Sequence, residues 1–357
     1  MAATRGWERR KHALPLATGI YVHKGLEYLL ATGNASEAAQ KSRSSYLAEV
    51  EERGLAIEEA GDEQAVIEEQ SALVEALVLA WARVRWPKWQ AEYEVVEIEA
   101  EDRVLLSDDV TLAVRADAVV RRKYDHRLFV VNFKTVGTAD ERWMRTWEVD
   151  MQLMTELLAA ERRHGHEFGG VIIEGLVKGR RMPVKDSVGT VIGYRDSSPL
   201  IWGYKCEADP PLRQLEYAWE YTKRKGWGRF AVWREHFPMS PLGASSAVDY
   251  WVNWLPEEVV EDQFITVPPI MRSAERIEAK VKQIVAITRQ VELANATIAA
   301  DQGFGLDEHY AQNERSCHYP SKCAMWDACW THNVAEDMQG SGLYLPRKDH
   351  HAIEGGE

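Results

Sequence analysis

The chain has 357 residues, of which 45% are hydrophobic and 28% are charged. This composition is typical of a protein that buries a full hydrophobic core, and it excludes a peptide, a coiled coil and a disordered tail. Acidic residues outnumber basic residues by 56 to 43, for a formal net charge of −13, which argues against a protein that coats nucleic acid through its overall charge. A nucleic-acid enzyme stays open, because basic residues can line a single groove.

The sequence shows no sign of a membrane or secretory protein. No stretch approaches the ~20 uninterrupted apolar residues of a membrane helix, and the first residues lack the apolar segment of a signal peptide. Four cysteines are too few for a disulfide framework. We therefore expect a cytoplasmic protein with no membrane partner.

The first quarter of the chain is predicted to be helical. Apolar residues recur at helical spacing in three stretches, at about 16–30, 36–53 and 64–86. Three predicted strands follow, at about 93–98, 110–120 and 128–133. The third is almost continuously apolar, which is typical of a strand covered on both faces.

Helices and strands alternate again in the rest of the chain. We predict an amphipathic helix at about 140–164, a buried strand at 170–177 and a long helix at about 272–300, whereas residues 200–270 give no clear pattern. The order helix, β-meander, helix, strand predicts an α/β (α+β) fold with a mixed central sheet, flanking helices and helical additions at both ends.

We predict one elaborated domain, because the sequence contains neither an internal repeat nor a clear linker. This domain spans 1–345, with its core at about 15–180 and a C-terminal helix and cysteine segment at about 272–335. Residues 346–357 are predicted to be a disordered tail.

An acidic residue and a lysine are predicted to meet at the end of two strands. If the strands around 117 and 132 pair as antiparallel neighbours, Asp117 lies beside Asn132, and Lys134 shares the face of Asn132. Hard cations such as Mg²⁺ or Mn²⁺ bind oxygen ligands of this kind. A lysine beside such a cation can orient or deprotonate water, or stabilise a pentavalent phosphate.

These residues resemble motifs of the PD-(D/E)XK nuclease superfamily, specifically of its RecB-type exonuclease branch. Gly19–His23 resembles a glycine–histidine motif on the first helix, and Asp117 falls on the aspartate of a second motif, with Val114 where glycine is usual. Asn132–Thr135 falls on a strand motif that begins with a carboxylate in the family.

A fourth motif of the resemblance lies on the helix that follows these strands. Gln152 falls on the glutamine of that helix motif, and Glu156 takes the place of a tyrosine. The four motifs occur in order over about 15–155, and the order of predicted elements agrees with that of the family's core.

The resemblance implies a restriction-endonuclease-like core that hydrolyses DNA with Mg²⁺ or Mn²⁺. It implies a metal site made by His23, Asp117, Asn132 and the main chain of Phe133. Lys134 would generate or orient the attacking hydroxide, and Gln152 and Thr135 would position the substrate backbone.

The implied activity is that of a DNA exonuclease with little sequence specificity, acting in recombination, repair or phage DNA processing. A helicase or recombination protein is a candidate partner. Two other functions stay open on the same core, namely a structure-selective endonuclease and a catalytically inactive DNA-binding subunit.

Asn132 is the main departure from the family's pattern. An amide oxygen can bind a cation but brings no charge, so we expect weakened metal binding and crippled catalysis. Either natural loss of activity or a deliberately introduced Asp-to-Asn change would explain it.

Two further groups of residues are candidate binding elements. Basic residues that could guide DNA are Arg180, Arg181, Lys223, Arg224 and Lys225. The cysteines Cys317, Cys323 and Cys329 lie near the C-terminus, where iron–sulfur members of this branch carry a cluster, and Cys206 is the one further cysteine. A [4Fe–4S] cluster, a zinc site completed by His318 or His332, and buried thiols without a metal are the alternatives.

Overall fold

The computed structural model describes residues 7–9, 12–53, 55–56, 63–148, 150–178, 181–185, 191–196, 257–300, 340–341 and 344–346. The helices in these ranges are α1 (Leu14–Thr32), α2 (Ala35–Arg53), α3 (Glu63–Val84), α4 (Trp86–Glu92), α5 (Glu141–Thr146), α6 (Met151–His164), α7 (Glu257–Glu261) and α8 (Ala274–Ala300). The strands are β1 (Trp7–Arg9), β2 (His12–Ala13), β3 (Leu55–Ala56), β4 (Tyr93–Ser107), β5 (Val110–Arg122), β6 (Leu128–Val136), β7 (Phe168–Val177), β8 (Arg181–Lys185), β9 (Val191–Asp196), β10 (Phe264–Ile270) and β11 (Tyr344–Pro346).

A five-stranded mixed sheet forms the centre of the fold, in the order β10-β7-β6-β5-β4. Strands β4, β5 and β6 form an antiparallel meander, β7 lies parallel to β6, and β10 lies antiparallel to β7. Elsewhere in the described ranges, small two-stranded sheets pair β1 with β11, β2 with β3, and β8 with β9. The predicted mixed α/β fold with a mixed sheet and flanking helices is therefore confirmed.

Helices cover both faces of the central sheet. Val131 and Phe133 of β6 pack into one core with α1, α2 and α3. Val130 of the same strand packs into a second core with α6 and the start of α8. Because successive residues of a strand face opposite sides, β6 needs apolar residues at nearly every position, as its sequence indicated.

The helix predicted over 140–164 is interrupted in the structure. One aspartate precedes each of the two pieces: the side chain of Asp140 accepts from the Trp143 N–H at 2.8 Å, and that of Asp150 accepts from the Leu153 N–H at 2.9 Å. Each aspartate thus caps a new helix, α5 and α6. The cap by Asp150 fixes where α6 begins. It thereby determines how Gln152, in the first turn of α6, faces the sheet.

Strand β10 lies within residues 200–270, for which no clear pattern was found in the sequence. Pro268 and Pro269 fall inside it, and the pairing with β7 is irregular between Val267 and Ile270. Proline is tolerated here because β10 is an edge strand, where one side of the backbone needs no ladder partner.

The helix predicted over 64–86 ends at Val84 in the structure, and α4 begins two residues later with Pro87 in its first turn.

In the described part of the chain, no helix combines the length and the apolar character needed to cross a membrane. Residues 347–357 of the predicted tail lie outside the described ranges.

Candidate functional site

Strands β5 and β6 separate next to Asp117. Their antiparallel pairing ends at Ala118 and Val131, so that Asp117 and Asn132 are the next residues along the two strands. The N–H of Phe133 donates to Asp117 Oδ2 at 2.6 Å. A carboxylate thus takes the place of a ladder carbonyl, which anchors Asp117 to the strand that carries Lys134.

Helix α1 brings His23 to this point. Its Nδ1 lies 3.6 Å from Asp117 Oδ1, and its ring meets the Phe133 ring edge-on, with 6.5 Å between centroids. One turn earlier, a Cβ on Gly19 would lie 2.8 Å from Thr135 Oγ1, which is closer than such atoms approach. A residue without a side chain at position 19 therefore lets α1 lie against the end of β6.

Lys134 is held from the opposite side of the sheet by α6. Its ammonium donates to Gln152 Oε1 at 3.1 Å and lies 6.0 Å from the centroid of the Trp147 ring. The amide oxygen and the aromatic face both favour a cation at this position.

An open cleft of about 520 Å³ lies over these residues. Its lining includes carboxylates and cations in nearly equal number, together with small and apolar groups: Leu16, Gly19, Ile20, His23, Lys24, Glu27, Glu99, Arg115, Asp117, Lys134, Thr135 and Lys178. Such a mixture suits a ligand that carries negative charge together with a cation that offsets it.

The carboxylates of the cleft differ in their environment. Burial alone would raise the pKa of Asp117, but the imidazole of His23, the charge of Lys134 and the Phe133 N–H together lower it. Burial raises the pKa of Glu99, against the opposing effect of Arg115 at 3.0 Å. Asp117 therefore favours its charged form more strongly than Glu99 does.

Asn132 faces away from the α1 side, towards a buried carboxyl group of α6. Both Asn132 and Glu156 are 1% exposed, and the amide nitrogen of Asn132 donates to Glu156 Oε2. Gln152 Nε2 donates to Glu156 Oε1 at 2.8 Å. Burial raises the pKa of Glu156 to about 7, although Asn132, Lys134 and Gln152 all oppose the shift.

The amide oxygen of Asn132 has no hydrogen-bond partner among the described residues, although it is buried. Buried polar oxygens are costly to leave without a partner, and a bound cation would supply one. The resemblance groups this oxygen with Asp117, His23 and the Phe133 carbonyl as ligands of Mg²⁺ or Mn²⁺, although Asn132 itself is not among the residues that line the cleft. No three His, Cys, Asp or Glu side chains group at metal-binding distance in the described ranges, so the set depends on Asn132 and the main chain.

The remaining predicted binding residues are not part of this cleft as described. Arg181 begins β8, for which the backbone alone is described. Outside the described residues lie Arg180, Lys223, Arg224, Lys225, Cys206, Cys317, Cys323 and Cys329. The iron–sulfur and zinc alternatives stay predictions.

Sequence reasoning missed several residues of the cleft. Glu27 lies one helical turn after His23, and that spacing could have indicated it. Glu99 adopts a positive φ of 51° inside β4, a conformation that the alternating sequence around it gave no reason to expect. Lys178 follows the end of β7, and burial lowers its pKa to about 8.

A scan of known protein-family models found no match to this chain. A search of curated proteins likewise found no significantly similar sequence.

Proposed function

We propose that this chain is a metal-dependent DNA nuclease of the exonuclease type, with a restriction-endonuclease-like core. The observation that carries the proposal is the meeting of His23, Asp117 and Lys134, which are far apart in the sequence, at one open cleft. The order of elements around the cleft, a helix, an antiparallel meander, a helix and a parallel strand, agrees with the resemblance.

Some residues of the cleft would bind a cation, and others would contact the phosphodiester. His23, Asp117, Asn132 and the Phe133 carbonyl would hold Mg²⁺ or Mn²⁺. The cation would offset negative charge on the phosphate and on the leaving oxygen.

Lys134 would act on the attacking water. Its ammonium is held by Gln152 and lies at the cleft wall next to Asp117, from which it would orient the water towards phosphorus. Thr135, Lys24 and Lys178 line the same cleft and would contact the phosphate backbone. Contacts of this kind carry no base information, which supports low sequence specificity.

Asn132 favours a second candidate function, a DNA-binding subunit that has lost catalysis. An amide at the strand position leaves Asp117 as the one carboxylate in the proposed donor set, so the cation would bind less tightly. The two functions predict different results for Asn132→Asp. A nuclease should cleave DNA once position 132 carries a carboxylate, whereas a binding subunit should not.

The test is a nuclease assay with MgCl₂ or MnCl₂ on the wild type and on Asn132→Asp, near neutral pH. We expect Asn132→Asp to degrade linear DNA faster than the wild type, and Lys134→Met in the same background to abolish cleavage. Lys282→Met is the matched control, because Lys282 is exposed on α8 and pairs with Glu278 in its own helix.

Absence of cleavage by both the wild type and Asn132→Asp, with either metal, would contradict the nuclease proposal. DNA binding without cleavage would then favour the non-catalytic subunit. Cleavage of closed circular DNA as fast as linear DNA would instead indicate an endonuclease.

A further inference from the structure

A chain of hydrogen bonds lies beneath the cleft and joins β6 to α6. Lys134 Nζ donates to Gln152 Oε1 at 3.1 Å, Gln152 Nε2 donates to Glu156 Oε1 at 2.8 Å, and Asn132 Nδ2 donates to Glu156 Oε2. Glu156 thus receives one amide nitrogen on each of its two oxygens. It lies one helical turn after Gln152 and has no place in the cleft lining.

This arrangement leaves each amide a single orientation. An ionised carboxylate only accepts hydrogen bonds, so both Asn132 and Gln152 must turn their nitrogens towards Glu156. Gln152 then offers its oxygen to Lys134, whose ammonium only donates. Asn132 correspondingly turns its oxygen away from Glu156, and this is the buried oxygen without a partner.

We propose that Glu156 is a positioning residue that orients the amides of Asn132 and Gln152, so that Asn132 presents an oxygen to the cation and Gln152 presents an oxygen to Lys134. The inference rests on the proposed function, because it assigns the oxygen of Asn132 to the cation of that site. Glu156 itself touches neither the cation nor the DNA.

Replacing Glu156 with glutamine would break this pattern without changing the shape of the side chain. A glutamine offers one acceptor and one donor, so only one of the two neighbouring amides can keep its orientation. Turning Gln152 would point its nitrogen at the ammonium of Lys134, which is unfavourable. Asn132 therefore turns, and its nitrogen replaces its oxygen towards the cation.

Exchanging the amide and the carboxyl group between positions 132 and 156 would restore the hydrogen-bond pattern. In the double variant Asn132→Asp/Glu156→Gln, the glutamine at 156 donates to the aspartate and accepts from Gln152, while Gln152 still holds Lys134. The net charge equals that of the wild type, and every hydrogen bond of the chain has a counterpart. The strand position now offers a charged oxygen to the cation.

The experiment measures Mn²⁺ binding by calorimetric titration with MnCl₂ alone, for the wild type, Glu156→Gln, the double variant and Glu161→Gln. Outer-shell partners of metal ligands typically contribute about 10- to 100-fold in affinity, so we expect Glu156→Gln to bind Mn²⁺ at least about tenfold more weakly. The double variant should bind at least as tightly as the wild type. Glu161→Gln is the matched control on the exposed face of α6 and should bind as the wild type does.

Two results would overturn the inference: Glu156→Gln binding Mn²⁺ as tightly as the wild type, or the double variant binding no better than Glu156→Gln. If the wild type binds too weakly to measure, the double variant alone decides, and its failure to bind Mn²⁺ counts against the inference. Circular dichroism shows whether each variant is folded. The predicted order of Mn²⁺ affinities without any DNA cleavage would refute the nuclease function while supporting the role of Glu156.

Discussion

Replacing Asn132 with aspartate places a second carboxyl group against Glu156. Both side chains are buried, and the amide nitrogen of Asn132 is the donor between them. Aspartate has no such donor, so the two carboxyl groups stay hydrogen-bonded only while one of them holds a proton. We therefore expect folded Asn132→Asp to retain a proton at a pH where the folded wild type does not.

The pKa of this pair of carboxyl groups determines how the free energy of unfolding of Asn132→Asp changes with pH. In the wild type, burial raises the pKa of Glu156 to about 7, so above about pH 7 Glu156 is ionised in both the folded and the unfolded chain. In folded Asn132→Asp, the pair of carboxyl groups that shares the proton has a raised pKa. In the unfolded chain, carboxyl groups titrate near pH ~4. A raised folded pKa means that stability is present at low pH and lost as pH rises. The variant should lose about 1.4 kcal/mol per pH unit relative to the wild type, or about 2 kcal/mol between about pH 7 and 8.5.

Urea unfolding followed by tryptophan fluorescence measures this difference, because the chain carries 14 tryptophans. The free energies of unfolding of the wild type, Asn132→Asp and Asn132→Asp/Glu156→Gln are compared over that pH range, without metal. The double variant has one carboxyl group in the pair and should show no added slope. Parallel pH profiles for Asn132→Asp and the wild type would refute the reasoning, as would the same slope in the double variant.

Three further predictions concern the packing of α1, the buried Glu174 and the proposed cation ligand His23. Gly25→Ala places a Cβ 2.8 Å from that of Ser42 and should lower the free energy of unfolding by about 1–3 kcal/mol in urea titrations; an unchanged urea midpoint would contradict this close packing. Arg85→Ala removes the cation that lies 2.9 Å from the fully buried Glu174 and leaves that carboxylate with the neutral donors Trp81 and Thr266. We therefore expect a loss of about 3–5 kcal/mol in the free energy of unfolding, and a loss below about 1 kcal/mol would show that the ion pair is dispensable. His23→Ala should weaken Mn²⁺ binding at least about tenfold in calorimetric titrations while leaving the urea midpoint near that of the wild type, and equal Mn²⁺ affinity would remove His23 from the site.

The sequence predicted the parts of the site that depend on neighbouring strands. Asp117 and Asn132 lie on consecutive strands joined by a short turn, so the pairing of β5 with β6 follows from local pattern alone. The position of Lys134 follows from the alternation of side chains along β6. Local rules suffice here because the distances along the chain are short.

The position of His23 could not be predicted from local pattern. It depends on how α1 packs against the end of β6, which Gly19 permits by its close approach to Thr135. That packing joins α1 to a strand that follows it only after helices α2 to α4 and strands β3 to β5 have intervened, and only the resemblance pointed to it. The break between α5 and α6 was missed for a different reason, since the capping role of Asp150 competes with an otherwise continuous helical pattern.

Asn132 and Glu156, two positions at which this chain differs from the motifs it resembles, contact each other. An aspartate at 132 facing a glutamate at 156 would bring together two buried acids that repel above neutral pH. An asparagine facing the same glutamate forms a hydrogen bond and satisfies the carboxylate. The amide at position 132 is therefore compatible with an ionised Glu156, whereas an aspartate at 132 requires the pair of carboxyl groups to retain a proton.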